Sequence, residues 1–186
     1  MNILIIGPPG VGKGTQAKLI KKKLKLIHLS TGEILRKEIN NNTKIGFKAK
    51  HYIDKGEFIP DKTILKIIER RISEPDCIKG YILDGFPRTV PQAIGLDKII
   101  NNINQKLNIA ISIIADEKIL EKRLLKRSLQ DNRSDDMPEI IKKRQKIYWK
   151  QTAPILKFYK AKGILKNIDG LGGIDDITKK ILDILK

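Results

Sequence analysis

Four apolar residues, Ile3-Leu4-Ile5-Ile6, run straight into Gly7-Pro-Pro-Gly-Val-Gly-Lys-Gly-Thr15, and a helical pattern starts immediately afterwards. This order of strand, glycine-rich turn, lysine and helix is a P-loop, which requires a buried strand to deliver a tight turn onto a helix N-terminus. Backbone N–H groups can wrap phosphate oxygens there because glycine accepts dihedrals and close approaches that a Cβ would block. The helix end adds partial positive charge. Lys13 supplies a mobile cation for the outer phosphates of a nucleoside triphosphate. The hydroxyl that usually follows this lysine directly is displaced by Gly14 to Thr15, which points away from GTPases and ordinary ATPases. Pro8 and Pro9 have no N–H to donate, so the cradle must be built mainly from Gly10 onward.

Further apolar runs at 26–29, 81–83, 109–115 and 164–168 read as short strands without polar alternation, as expected of a parallel sheet buried on both faces. Between them the spacing predicts helices over 13–24, 61–73, 89–100, 117–127, parts of 136–162 with a break near Pro154, and 174–185. Strand and helix alternate, so the expected class is α/β: a P-loop, doubly wound, five-stranded parallel sheet with helices on both faces. Two intervals break the rhythm. Residues 30–59 hold two helical segments, Thr31–Ile39 and Thr43–Lys55, where one crossover would suffice, and they read as an inserted subdomain. Residues 128–135, rich in polar side chains, read as a short flap.

At 186 residues the chain fits one domain with a sizeable core. Met1-Asn2 leads directly into a core strand, so no leader is expected, and no apolar run approaches the ~20 residues of a membrane span. A single cysteine, Cys77, excludes an internal disulfide and a thiolate metal cage; it is expected to be a small, half-buried hydrophobe. The net charge of +17 could suit a polyanion. The lysines, however, are spread along nearly every helix without interleaved aromatics, which argues against a nucleic-acid surface. In that lysine-rich background only eight residues are arginine, and six of them, Arg36, Arg88, Arg123, Arg127, Arg133 and Arg144, fall beside motifs. A guanidinium grips phosphate bidentately, which lysine does not.

The third strand ends in Asp84, followed by Gly85-Phe86-Pro87-Arg88, at the sheet edge that also carries the P-loop. Ligands of doubly wound sheets bind at that edge. Asp84 would hold Mg²⁺, directly or through its waters, since that ion prefers hard oxygen ligands and keeps much of its hydration. Arg88 would reach a phosphate. His28 and His51 are expected to be structural or exposed, and no general base is needed for attack by an already ionised phosphate.

Together with Leu29-Ser-Thr-Gly-Glu-Ile-Leu-Arg36, Gly56-Glu-Phe-Ile-Pro-Asp61, Gln92, Arg133-Ser-Asp-Asp136 and Arg144, these motifs resemble the adenylate kinase family in its short-lid form, over essentially the whole chain. The resemblance implies Mg-dependent phosphoryl transfer from ATP to AMP, giving two ADP. It implies ATP binding by Gly10, Val11, Gly12, Lys13, Gly14, Thr15, Arg123, Arg127 and Gly172. AMP would be held by Thr31, Arg36, Glu57, Phe58, Ile59, Gly85, Phe86, Pro87, Arg88, Gln92, Arg133 and Arg144. Charge at the reacting centre would fall to Lys13, Arg88, Arg123, Arg127, Arg133 and Arg144. The core would be 1–29, 60–125 and 137–186, the AMP-binding subdomain 30–59, and the lid 126–136. The flap has no cysteine, so the structural zinc of some long-lid relatives is not expected. A cytoplasmic monomer without nucleic-acid or membrane partners is implied. Asn132 and Val11 depart from common residues of the family and bear on lid geometry and ATP affinity. Thr31 and Gln92 favour AMP over the pyrimidine substrates of the related UMP/CMP kinases, which remain the alternative, with a basic nucleic-acid-binding protein as the alternative of another class.

Overall fold

The computed structural model describes residues 1–131, 135 and 137–186. Five strands, β1 (Ile3–Ile6), β2 (Ile27–Ser30), β3 (Tyr81–Asp84), β4 (Ile109–Ile114) and β5 (Leu165–Asp169), pair in parallel in the order β2-β3-β1-β4-β5. Strand order therefore reverses at β1, and a crevice opens above its carboxyl end, where the P-loop begins. Register brings Asp84 beside both Ile5 and Ser30, so the ends of the three strands share one rim.

Helices α1 (Lys13–Leu24), α6 (Glu117–Asp131) and α9 (Ile174–Ile184) cover one face of the sheet. On the other lie α4 (Asp61–Ile72), α5 (Val90–Asn102) and α8 (Pro154–Ala161). Alternation of side chains along β1 produces this division. Leu4 and Ile6 pack with Ile68, Leu96 and Tyr159, whereas Ile3 and Ile5 pack with Ala17, Ile20, Leu120 and Ile181. Among the described residues no helix is long and apolar enough to cross a membrane.

The insert consists of α2 (Thr31–Asn40) and α3 (Lys44–Asp54), each begun by a hydroxyl cap: Ser30 accepts from Glu33 N–H and Thr43 from Gly46 N–H. Sequence spacing places most elements within one or two residues. Two expectations need correction. The polar run 128–135 does not interrupt the helix at once: α6 continues to Asp131, since polar residues are compatible with a helix. The break expected near Pro154 within 136–162 is present. The stretch comprises α7 (Pro138–Ile147), a π turn (Tyr148–Thr152) and α8. Pro154 has no N–H to extend the ladder, and just before it Ala153 N–H reaches back five residues to Tyr148 O at 2.8 Å. Cys77 is fully buried rather than half-buried; it ends the 3-10 turn Pro75–Cys77 and accepts from Arg71 Nη1 at 3.0 Å.

The two insert helices touch backbone to backbone at Gly46, where a Cβ would lie 2.1 Å from Glu38 O. Gly46→Ala must push them apart, and we expect it to cost roughly 1–3 kcal/mol, read as a lower urea midpoint. An unchanged midpoint would show that the contact is looser than described.

Candidate active site

The cleft above β1 has a volume of about 860 Å³. Its floor is the P-loop, whose shape depends on two left-handed glycines, Gly10 at φ 85° and Gly12 at φ 95°. Gly10 also has Leu120 O only 2.8 Å from where a Cβ would stand. Gly12 caps α1 without a side chain, and the first turn of α1 carries no acidic residue. The helix places no carboxylate of its own at that end, while Lys21, Lys22 and Lys23 complement the opposite end of its dipole. Val11 is buried beneath the loop.

Lys13 folds back over this floor, its Nζ donating to Gly7 O at 2.7 Å and Pro8 O at 2.9 Å. Burial is the main cause that lowers its pKa to about 7; Asp84 opposes the shift, and the charges of Arg88, Arg144 and Arg127 add to it. Arg88 is lowered to about 10, again first by burial and then by Arg144 and Arg36, with Asp84 and Asp135 opposing. Burial pushes the Asp84 carboxyl up, but the hydrogen bond from His28 and the charges of Lys13, His28 and Arg88 outweigh it and hold the group below its usual range. His28 Nε2 sits 3.3 Å from Asp84 Oδ2, which gives this histidine the structural place expected of it. The cleft is a crowd of cations held by few acids, so an anion entering it relieves repulsion.

Arg88, Arg123 and Arg144, three of the cleft arginines, are braced by hydrogen bonds. Arg88 Nε donates to Gly85 O at 2.7 Å, and its guanidinium lies 5.0 Å from the centre of the Phe58 ring. Arg123 Nη1 donates to Gly170 O at 3.3 Å. Arg144 Nη1 donates to Asp135 O at 2.8 Å and pairs with Asp135 Oδ2 at 2.9 Å. Thr31 Oγ1 donates to Gly85 O at 2.8 Å, which joins the insert to the turn after β3. Lys143 Nζ donates to Glu57 Oε1 at 2.7 Å.

The structure brings most of the sequence-predicted residues to this one cleft: Gly10 to Thr15, Thr31, Arg36, Glu57 to Ile59, Asp84, Gly85, Pro87, Arg88, Gln92, Arg123, Arg127, Arg144 and Gly172 all line it. Phe86 does not. It is 1% exposed and packs in the core under the turn, because the residue between two cleft-facing neighbours is directed inward. Arg133 and Asn132 lie outside the described residues. Sequence reasoning missed Asp135, Tyr148 and Thr152, which line the same cleft. Thr152 Oγ1 donates to Arg88 O at 2.9 Å. Tyr148 and Thr152 belong to the π turn that precedes Pro154, and no local sequence signal marks them as cleft residues. Among the described residues no three His, Cys, Asp or Glu side chains cluster as a metal cage.

A family model described as adenylate kinase matches residues 5–164. The chain is 46% identical over 180 residues to an adenylate kinase of Leptospira biflexa, with 97% of each chain covered. It is 42% identical to one from Chelativorans sp., covering all of this chain and 98% of the relative. With an adenylate kinase of Lachnospira eligens it shares 41% identity over 212 aligned positions, covering all of both chains.

A polyphosphate bound at the P-loop should restore the charge of Lys13. Near pH 8 the free side chain, at about 7, is mostly neutral, and an adjacent phosphate raises its pKa. Calorimetry of triphosphate binding in buffers of different ionisation enthalpy should therefore show uptake of nearly one proton at pH 8. The uptake should vanish near pH 5.5, where Lys13 is already charged, and in Lys13→Met at either pH. Proton-neutral binding of the unaltered protein at pH 8 would contradict the assignment.

Proposed function

The chain belongs to the adenylate kinase family and is a nucleoside monophosphate kinase that interconverts ATP plus AMP with two ADP; on that premise we propose how its residues divide the work. The observation that carries the proposal is the convergence of Lys13, Asp84 and five arginines, Arg36, Arg88, Arg123, Arg127 and Arg144, on one cleft at the carboxyl rim of the sheet.

The ATP phosphates lie in the turn Gly10 to Thr15, with Lys13 swinging from Gly7 and Pro8 carbonyls to the outer phosphates. Arg123, Arg127 and Gly172 complete the ATP side. AMP lies between the insert and the turn after β3, its phosphate against Arg36, Arg88 and Arg144 and its base against Thr31, Gln92 and the backbone of Glu57 to Ile59. Phe86 contributes through the backbone it anchors, and Arg133 joins the reacting centre from the lid. An AMP phosphate oxygen attacks the γ-phosphorus of ATP, a new O–P bond forms, and the bridge to the β-phosphate breaks with its electrons remaining on ADP. Attack needs no general base because the acceptor phosphate is largely ionised at neutral pH. The protein supplies alignment and fixed positive charge.

The donor set fits magnesium that arrives with the nucleotide. Asp84 presents a buried carboxylate held ionised by its neighbours, and Thr15 adds a hydroxyl in the same cleft; both are hard oxygens. Bound there, the ion would neutralise phosphate charge, with Asp84 acting through water. Residues 30–59 form the AMP-binding subdomain and 126–136 the lid, whose closure excludes water from the reaction. One chain acting alone in the cytoplasm on small-molecule substrates completes the reading, and a dimer mass in sedimentation velocity would overturn that part of it.

A coupled assay with Mg²⁺ and ATP should show AMP preferred over CMP, UMP and GMP, whereas a CMP preference would overturn the assignment. Lys13→Ala should abolish most turnover. Arg88→Lys keeps the charge but loses the planar fork, and turnover should fall by about 10²-fold, the scale of removing one donor to a developing charge.

A further inference from the structure

We propose that Asp61 is a specificity-determining positioning residue: by holding the side-chain amide of Gln92 in one orientation, it makes the monophosphate site accept adenine and reject guanine. The inference rests on the reading of Gln92 as a base-facing residue. Asp61 is the first residue of α4, immediately beyond the insert, and lies outside the cleft lining.

Gln92 Nε2 donates to Asp61 Oδ1 at 2.7 Å, and the backbone N–H of Arg88 donates to Gln92 Oε1 at 2.7 Å. Neither partner can reverse its role, because a carboxylate only accepts and a backbone N–H only donates. Turning the amide over would set its oxygen against the carboxylate and its NH2 group against the N–H, and both bonds would be lost. Asp61 is itself held. Thr89 Oγ1 lies 3.3 and 3.2 Å from its two carboxylate oxygens, and the same hydroxyl caps α5 by accepting from Gln92 N–H at 3.2 Å. Gln92 is 2% exposed and yet forms part of the cleft wall, so its packing leaves little room for other rotamers.

A primary amide has two N–H donors and two acceptor lone pairs. One of each is engaged inside the protein, which leaves one N–H and one lone pair for a ligand. Adenine offers the N1 acceptor beside the N6 donor. Guanine in the same pose offers the reverse, an N1–H donor beside the O6 acceptor. The fixed amide matches the first pattern and meets the second donor to donor and acceptor to acceptor. A freely turning amide would serve both bases. Cytosine repeats the pattern of adenine, so the device separates AMP from GMP and leaves CMP to be sorted by size.

The test is steady-state kinetics with AMP and GMP as acceptors and ATP as donor, on the unaltered enzyme, Asp61→Asn, Asp61→Glu, Gln92→Ala and the double variant Asp61→Asn/Gln92→Ala, with melting temperatures recorded alongside. Asp61→Asn keeps the shape but can present either an oxygen or an NH2 group, and the AMP-over-GMP ratio of kcat/KM should fall about tenfold, the scale of one charge-assisted bond. The loss should fall on the KM for the monophosphate and spare the KM for ATP. Asp61→Glu retains negative charge in the first turn of α4 but displaces the oxygens, so it should lose discrimination as well; it carries the test alone if the Asn variant does not fold. In the Gln92→Ala background Asp61→Asn should change the ratio by less than about twofold, because its route runs through the amide. An unchanged ratio in Asp61→Asn, full discrimination in Asp61→Glu, or an undiminished effect in the Gln92→Ala background would each overturn the proposal. If Gln92→Ala alone leaves the ratio intact, it is the base-facing reading of Gln92 that fails.

Discussion

The buried carboxylate of Asp84 sets the balance of the cations in this cleft. Asp84 stands at the end of β3, 7% exposed, and is the acid whose charge counters both Lys13 and Arg88. Sheet register puts it there, opposite Ile5 on one side and Ser30 on the other. Without it the desolvated lysine and arginines would face one another with Asp135 as the other opposing acid. On the proposed division of the site, phosphates bound there would relieve the remaining repulsion.

The insert and the strand rim are coupled by short polar links rather than by a shared core alone. Thr31 donates to Gly85 O, Thr152 to Arg88 O, and Gln92 joins Arg88 to Asp61. The turn Asp84 to Arg88 is thereby touched from α2, from the π turn and from α4 through α5. Movement of any of these segments is felt at the guanidinium of Arg88. On the proposed roles of Arg88 and Gln92, phosphate gripping and base recognition would share one support, which suits a reaction that should proceed only when both substrates are in place.

Much of this was legible in the sequence because it depends on local backbone requirements. The P-loop declares itself through the left-handed positions at Gly10 and Gly12, and the second motif through a strand that ends in Asp84 before a glycine and a proline. Buried strands read as unbroken apolar runs because both faces of a parallel sheet are covered. What stayed hidden depends on distant partners. Nothing near Gln92 announces Asp61, 31 residues earlier, and nothing near Tyr148 announces that its ring faces the cleft. The inward direction of Phe86 follows from packing under the turn, which motif spacing does not encode. The extension of α6 to Asp131 is the opposite case, since polarity alone does not end a helix.

The π turn between α7 and α8 makes chain length in that stretch a functional quantity. Each residue of an ordinary helix advances the angular phase by about 100°, so a wide turn accommodates one residue more without the phase being passed on in the usual way. Removing Lys150, which faces solvent, would let the helix close regularly and would change the direction from which Thr152 reaches Arg88 O. Substitutions there can be absorbed one contact at a time, but an insertion or deletion changes the width of the turn itself and, with it, the aim of Thr152.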